Sequence, residues 1–366
     1  MAMTHFIDIF RNNTLARKMA EHLRSLAPEP ATFMEVCGTH TMAIARSGIR
    51  QMLPPGIRLV SGPGCPVCVT SAADIDTFIA AAGLKNSIIT TFGDLIRVPG
   101  SSSSLQKEMA RGADVRVVYS PLDALEIAGR NPDQEVIFLG VGFETTAPTI
   151  GGAILTAEQE QLPNFTVISS HKVIPPALEA LASDPAIQLG GLICPGHVSV
   201  IIGADAYQPL ADRHHIPCVV AGFEPIDILQ AVIMLINQQT TGAKVEIAYQ
   251  RAVTRKGNPR ALEVMNTVFA PATVEWRGLG AIPDSGLQIR PRFERFDAKK
   301  RFDLQVEIVH KPTGCRCGEV LKGIIAPPDC RLFGAACLPA HPIGPCMVSS
   351  EGACAAFYRY DASQLV

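Results

Sequence analysis

The run Val136-Ile-Phe-Leu-Gly-Val141 leads through Gly142-Phe-Glu-Thr-Thr146 into a stretch with apolar residues at helical spacing. A short, wholly apolar run suits a strand buried on both faces, and the helix after it supplies one of the covers. The same unit recurs outward in both directions. Strands are predicted at residues 32–36, 58–61, 88–92, 115–119, 136–141, 166–170, 191–194 and 217–221, with helices over 8–26, 72–82, 121–128, 147–161 and 226–237. This alternation predicts an α/β protein with parallel sheets covered on both faces. The layout expected is a helical segment at 1–29, one α/β domain at 30–130, a second at 131–245 and a cysteine-rich C-terminal domain at 246–366. Each α/β domain is a parallel-sheet βα unit of Rossmann-like type with about four strands, and the two face each other across a cleft.

Composition narrows the class. The 366 residues are 47% hydrophobic and carry a formal net charge of −2, with both signs interspersed. No basic surface for nucleic acid or membrane lipid is indicated. The most apolar segment, residues 218–236, contains Glu224, Pro225 and Asp227, which argues against a membrane span. The start, MAMTHFIDIF, lacks the basic and long apolar regions of a secretion signal, so the expected location is the cytoplasm. No G-x-x-x-x-G-K-[ST] loop occurs, which argues against ATP use.

Ligands of open parallel sheets bind beyond the carboxyl ends of the strands. Cys37-Gly-Thr-His40 follows the first predicted strand, Gly62-Pro-Gly-Cys-Pro-Val-Cys68 the second and Gly93-Asp94 the third. In the second expected domain the strand ends carry Glu144, His171-Lys172, His197 and Glu224. Thiols would then face carboxylates and histidines across one cleft. Cys65 and Cys68 precede a helix start, where the dipole lowers a thiol pKa. With Cys37 beside them, three soft ligands converge and leave metal positions open. Each group has a plainer alternative. His171 and His197 suit satisfied polar groups, Glu144, Glu224 and Asp94 suit helix caps, and the C-x-x-C suits two buried thiols. Cys194 and Cys218 read as small core residues. The serines at 101–104 read as a flexible loop or lid.

Six of the eleven cysteines lie between Cys315 and Cys354, spaced C-x-C-x12-C-x6-C-x8-C-x7-C. A reducing cytoplasm disfavours a disulfide framework, and the paired knuckles of structural zinc sites are missing. An irregular set of thiolates suits a 4Fe–4S cluster, with zinc or a disulfide staple as alternatives. The charged, Pro-rich run at 290–301 leads to a predicted strand at 302–309. The Gly- and Pro-rich tail after it needs a staple, and ligation of a cluster would provide one.

These segments together resemble the HypD family of nickel–iron hydrogenase maturation factors. The resemblance rests on Phe33-Met-Glu-Val-Cys-Gly-Thr-His40, Gly62-Pro-Gly-Cys-Pro-Val-Cys68, Gly142-Phe-Glu-Thr-Thr146 and Pro195-Gly-His-Val-Ser199. It continues through Cys315-Arg-Cys-Gly318 and Cys346-Met-Val-Ser-Ser-Glu-Gly-Ala-Cys354. It implies a protein that, with the small partner HypC, holds iron while the Fe(CN)2CO group is built. HypE delivers the cyanide, with HypF upstream, and the finished group passes to the hydrogenase large subunit. It ties Cys37, Cys65 and Cys68 to the iron and its redox chemistry, and makes Asp94, His197 and Glu351 further cleft residues. It also implies a C-terminal 4Fe–4S cluster, mapped here onto Cys330, Cys337, Cys346 and Cys354, with Cys315 and Cys317 left as redox relay thiols. The competing readings are an iron–sulfur thiol–disulfide oxidoreductase acting on a protein partner, and a zinc-stapled binding module.

Overall fold

Residue pattern and burial agree along the central strands. In the computed structural model, which describes residues 10–26, 28–304, 306 and 314–361, the strand Glu135–Gly140 is buried at every position after its first residue. All eight predicted strands form, within a residue or two of their expected bounds. They are β1 (Ala31–Glu35), β2 (Ile57–Ser61), β3 (Ser87–Thr91), β4 (Asp114–Val117), β5 (Glu135–Gly140), β6 (Phe165–Ser169), β7 (Gly191–Pro195) and β8 (Cys218–Ala221). Three further strands follow, β9 (Val245–Ile247), β10 (Phe269–Trp276) and β11 (Gly280–Ile289).

The strands make two parallel sheets, in the orders β2-β1-β7-β8-β9 and β4-β3-β5-β6. The division expected at residue 130 therefore does not describe the sheets. β1 and β2 pair with strands from beyond residue 190, and β3 to β6 run through residue 130 as one sheet. Each βα unit looks alike locally, so pattern alone does not say which strands pair. Pairing is fixed by packing between segments far apart in sequence, here β1 against β7. The second sheet is thus inserted between β2 and β7 of the first.

β10 and β11 form an antiparallel hairpin with a bulge between Ala272 and Val274. Its Trp276 is fully buried, donates from Nε1 to Ser285 Oγ at 2.8 Å and stacks on Phe143 with ring centroids 6.0 Å apart. The expected loop or lid at residues 101–104 is instead tied down. Ser101 donates from its backbone N to Asp76 Oδ1 at 2.7 Å, and Ser104 caps the helix Leu105–Ala110. Of the strand expected at 302–309, Phe302 and Asp303 form a turn after the helix Ala298–Arg301. Most of the remainder lies outside the described residues.

One buried charge cluster locks the layers together. Asp74, in the helix Ala72–Ala82, faces Lys172 Nζ at 3.2 Å and Lys299 Nζ at 3.4 Å, and accepts from the Ser71 and Ser170 hydroxyls. Burial pushes the Asp74 carboxyl up, but the two lysines outweigh it and hold its pKa below the ordinary value. Lys172 is only 1% exposed, so its charge depends on this partner. Breaking such a pair leaves an uncompensated buried charge. Asp74→Asn is expected to cost about 3–5 kcal/mol in a denaturant unfolding curve, and Lys172→Met distinctly less.

Candidate metal centre

The site begins where β1 and β2 end side by side. Gly62 N donates to Glu35 O at 2.7 Å, and Gly38 N donates to Gly64 O at 2.9 Å. These bonds draw the two loops into contact. A Cβ on Gly64 would stand 2.0 Å from Cys37 N and 2.3 Å from Cys37 Cα, so only glycine fits. Cys37 then caps the helix Gly38–Arg46, and Cys65 caps the short helix Pro66–Val69. Cys65 and Cys68 are joined as a disulfide, their Cα atoms 5.2 Å apart. Cys37, Cys65 and Cys68 are 1%, 3% and 0% exposed.

Cys37 Sγ lies 3.7 Å from His197 Nδ1, on the helix Gly196–Ile202 that follows β7. Burial pushes the Cys37 thiol up to about 12. Glu351 and Glu35 add to the rise, and the backbone at His40 opposes it. Burial also lowers His197 to about 4, so its imidazole is neutral and resists protonation. Glu351 reaches in from the tail, accepting from Thr39 Oγ1 at 2.7 Å. Its pKa is raised by burial and by the charge of Asp94, against the Thr39 hydrogen bond. A Cβ on Gly38 would meet Glu351 Cβ at 2.5 Å, so this glycine admits the tail.

A cavity of about 490 Å³ lies beside this junction, lined by the neighbours Gly64, Pro66 and Val67 but not by Cys37, Cys65 or Cys68 themselves. Gly64, Val67 and His197 line it from the first sheet, Asp94, Tyr119 and Phe143 from the second, and Glu351 from the tail. The carboxyl ends of both sheets therefore contribute to one wall. Other strand-end groups stay out of it. Glu144 is buried and accepts from Ile174 N, His171 is buried against Ser169, Lys172 belongs to the Asp74 cluster, and Glu224 pairs with Arg11. Of the plainer alternatives, Glu224 does cap the helix that follows it, Pro225–Thr241, whereas Glu144 bonds the start of a different helix and His171 Nε2 is buried without a partner among the described residues. Cys194 and Cys218 are fully buried core residues.

Glu35 was not singled out by pattern. It is fully buried, accepts from Thr41 Oγ1 at 2.6 Å and Cys37 N at 3.2 Å, and burial raises it to about 7 against those bonds. The available signal was a carboxylate set inside an apolar strand.

All six tail cysteines line one small apolar cavity of about 10 Å³, with Leu332, Phe333 and Met347 among the walls. The spacing separates four cluster ligands from two relay thiols, whereas the structure groups all six. Cys315, Cys317 and Cys346 share one wall of that cavity. Cys346 sits in the short helix Pro345–Val348, which packs against Pro66–Val69, so the tail sulfurs adjoin the disulfide segment. Among the described residues no group of three or more His, Cys, Asp or Glu side chains is disposed to hold a metal ion. The donor set, buried sulfur walled by apolar side chains, does suit an iron–sulfur cluster in kind.

Fold and site define an α/β thiol protein, with a disulfide and a buried thiol at adjacent strand ends and a cysteine-lined tail pocket beside them. The model of the family described as "HypD: Hydrogenase formation hypA family" matches residues 14–361. The chain is 44% identical to the hydrogenase maturation factor HypD of Cupriavidus necator, over 97% of each chain. It is 44% identical to that of Escherichia coli, covering 97% of this chain and 98% of the relative, and 45% identical to that of Azotobacter vinelandii, covering 97% and 96%. The chain belongs to the HypD family of hydrogenase maturation factors. No helix among the described residues is long and apolar enough to cross a membrane.

Two buried groups of the site tilt stability with pH in opposite senses. His40 donates from Nε2 to Gly222 O at 2.8 Å, and burial lowers it from 6.5 to about 4. The unfolded chain binds more protons there, so this contribution is full above pH 6.5 and is lost as pH falls towards 4. Glu35, raised from 4.5 to about 7, contributes below pH 4.5 and loses that contribution as pH rises through 7. The two slopes oppose each other between pH 4.5 and 6.5, and below 4.5 His40 acts without that offset. His40→Gln is expected to flatten the acid limb of the stability curve by up to about 1.4 kcal/mol per pH unit, read from urea midpoints across that range.

Proposed function

We propose that this chain is an iron-carrying assembly factor, which works with HypC to hold iron while the Fe(CN)2CO group of nickel–iron hydrogenase is built. HypE would donate the cyanide, from a carbamoyl precursor supplied by HypF, and the hydrogenase large subunit would receive the product. The cytoplasm is the compartment this implies. One observation supports the reading: Cys37 and the Cys65–Cys68 pair follow two adjacent strands, and His197, 3.7 Å from Cys37 Sγ, lines a cavity together with Asp94 and Glu351.

The chain's own residues must prepare that site. A Cys65–Cys68 disulfide does not offer thiolates, so two electrons and two protons must first open it to two thiols. Cys37 is held protonated by burial, and a metal takes the thiolate only as the proton leaves. His197 Nδ1 lies 3.7 Å from the sulfur as a polar neighbour, but burial keeps that ring neutral and makes it a poor base for the Cys37 proton. Asp94 and Glu351 add negative charge at the cleft wall, which favours a cation there. Cys330, Cys337, Cys346 and Cys354 would hold a 4Fe–4S cluster, and Cys315 and Cys317 would serve as relay thiols beside it. When bound, the cluster would supply electrons one at a time. The role is that of a redox-active scaffold more than of a turnover enzyme.

The disulfide favours a second reading, a thiol–disulfide oxidoreductase acting on a protein partner. Iron analysis after anaerobic co-purification with HypC separates the two. The scaffold account expects iron beyond that of the cluster in the parent protein, and its loss in Cys37→Ala with cluster absorbance retained. Equal iron in parent and variant, all of it assignable to the cluster, would favour the oxidoreductase.

A further inference from the structure

The hairpin tip Trp276-Arg277-Gly278 stands between the two groups of sulfurs. On one side, Arg277 N donates to Val69 O at 2.8 Å and its Nε donates to Thr70 O at 2.8 Å. Thr70 also pairs with Trp276 in an antiparallel bridge. Val69 and Thr70 are the residues directly after the Cys65–Cys68 turn. On the other side Gly278 lies flat on the tail, and a Cβ there would come 2.3 Å from Gly318 Cα. Gly318 directly follows Cys317.

The last guanidinium nitrogen, Nη2, is buried and has no hydrogen-bond partner among the described residues. Arg277, Cys315 and Cys317 share the wall of a polar cavity of about 520 Å³. Cys315 and Cys317 also line the six-cysteine cavity, so this pair forms the partition between the two spaces. Gly278 and Gly318, which directly follow Arg277 and Cys317, are in backbone contact, and this brings the guanidinium and the two thiols to one wall. The neighbouring cations are otherwise engaged, Arg316 with Glu319 and Lys322 with Asp184.

A buried donor without an acceptor is costly, and the cost is recovered where negative charge develops beside it. We propose that Arg277 is a positioning residue for electron transfer: its unpartnered Nη2 favours added negative charge on the tail sulfurs, while its backbone N–H and Nε hold the segment after the Cys65–Cys68 disulfide. The inference rests on reading the tail pocket as a redox centre. An electron arriving there from a one-electron reductant adds one negative charge, and the guanidinium stabilises that reduced state. Hydrogen bonds and charges around cluster sulfurs are recognised levers on reduction.

The test uses the full-length protein reconstituted anaerobically, as parent and as Arg277→Lys, Arg277→Gln and Arg277→Met. Each is poised with dithionite and mediators at one ambient potential, and the reduced-to-oxidised ratio of the cluster is read by electron paramagnetic resonance. Loss of the charge in the Gln and Met variants is expected to lower that ratio about tenfold, the scale of a hydrogen bond to a charged group. Lys should stay within about threefold of the parent, because it keeps the charge. Gln and Lys both lose the guanidinium fork and differ in charge, so their comparison stands even if Met fails to fold. Equal ratios across a loaded series, with only the melting temperature changed, would overturn the role of Arg277 alone. A parent protein that shows no cluster signal would overturn the tail reading, and this role with it.

Discussion

The site depends on how closely two stretches of backbone approach each other. Gly64 lies on the backbone of Cys37 with no room for a side chain, and hydrogen bonds from Gly62 to Glu35 and from Gly38 to Gly64 hold the two loops in that register. The parallel pairing of β1 with β2 brings the strand ends together, and the glycines close the last gap. Cys37 and the Cys65–Cys68 disulfide become neighbours as a result. Burial at this junction holds Cys37 protonated and His197 neutral. The same closeness excludes water, and each charge effect is stronger for it.

The tail completes the junction. Glu351 packs on Gly38 and hydrogen-bonds Thr39, so part of the cleft wall comes from near the end of the described chain. Gly352 packs on Cys346, where a Cβ would stand 2.2 Å from Cys346 O, and the helix bearing Cys346 packs on the helix bearing Cys68. Trp276 and Arg277 join the same region from the hairpin. Three segments distant in sequence thus meet around the sulfurs. The cleft and the cysteine pocket are parts of one packed assembly.

Local signals in the chain were strong where structure is local. The apolar runs that become β1 to β8 are short, nearly uniform and followed by helical patterns, so their existence and ends were readable. Asp94 and His197, which the sequence places past strand ends, line one cavity. Pairing was a different matter. Nothing in the residues around 130 reveals that β3, β4, β5 and β6 share a sheet, or that β1 prefers β7, because that choice rests on side chains far apart in sequence. For the same reason Glu144, His171, Lys172 and Glu224 looked equivalent to His197 in sequence. Each also follows a strand, and only tertiary partners show that they serve the framework. The hairpin has no clear sequence signal because β10 and β11 carry Gly and Pro in strand positions, which a bulged antiparallel pair tolerates.

The central claim is that Cys37 holds iron bearing diatomic ligands at this junction. An infrared spectrum of the protein co-purified anaerobically with HypC, beside its Cys37→Ala variant, addresses it most directly. The account expects cyanide and CO stretching bands in the parent and none in the variant. Bands of equal strength in both would move the iron away from Cys37, and no bands in either, with partners present and the cluster intact, would contradict the carrier role itself.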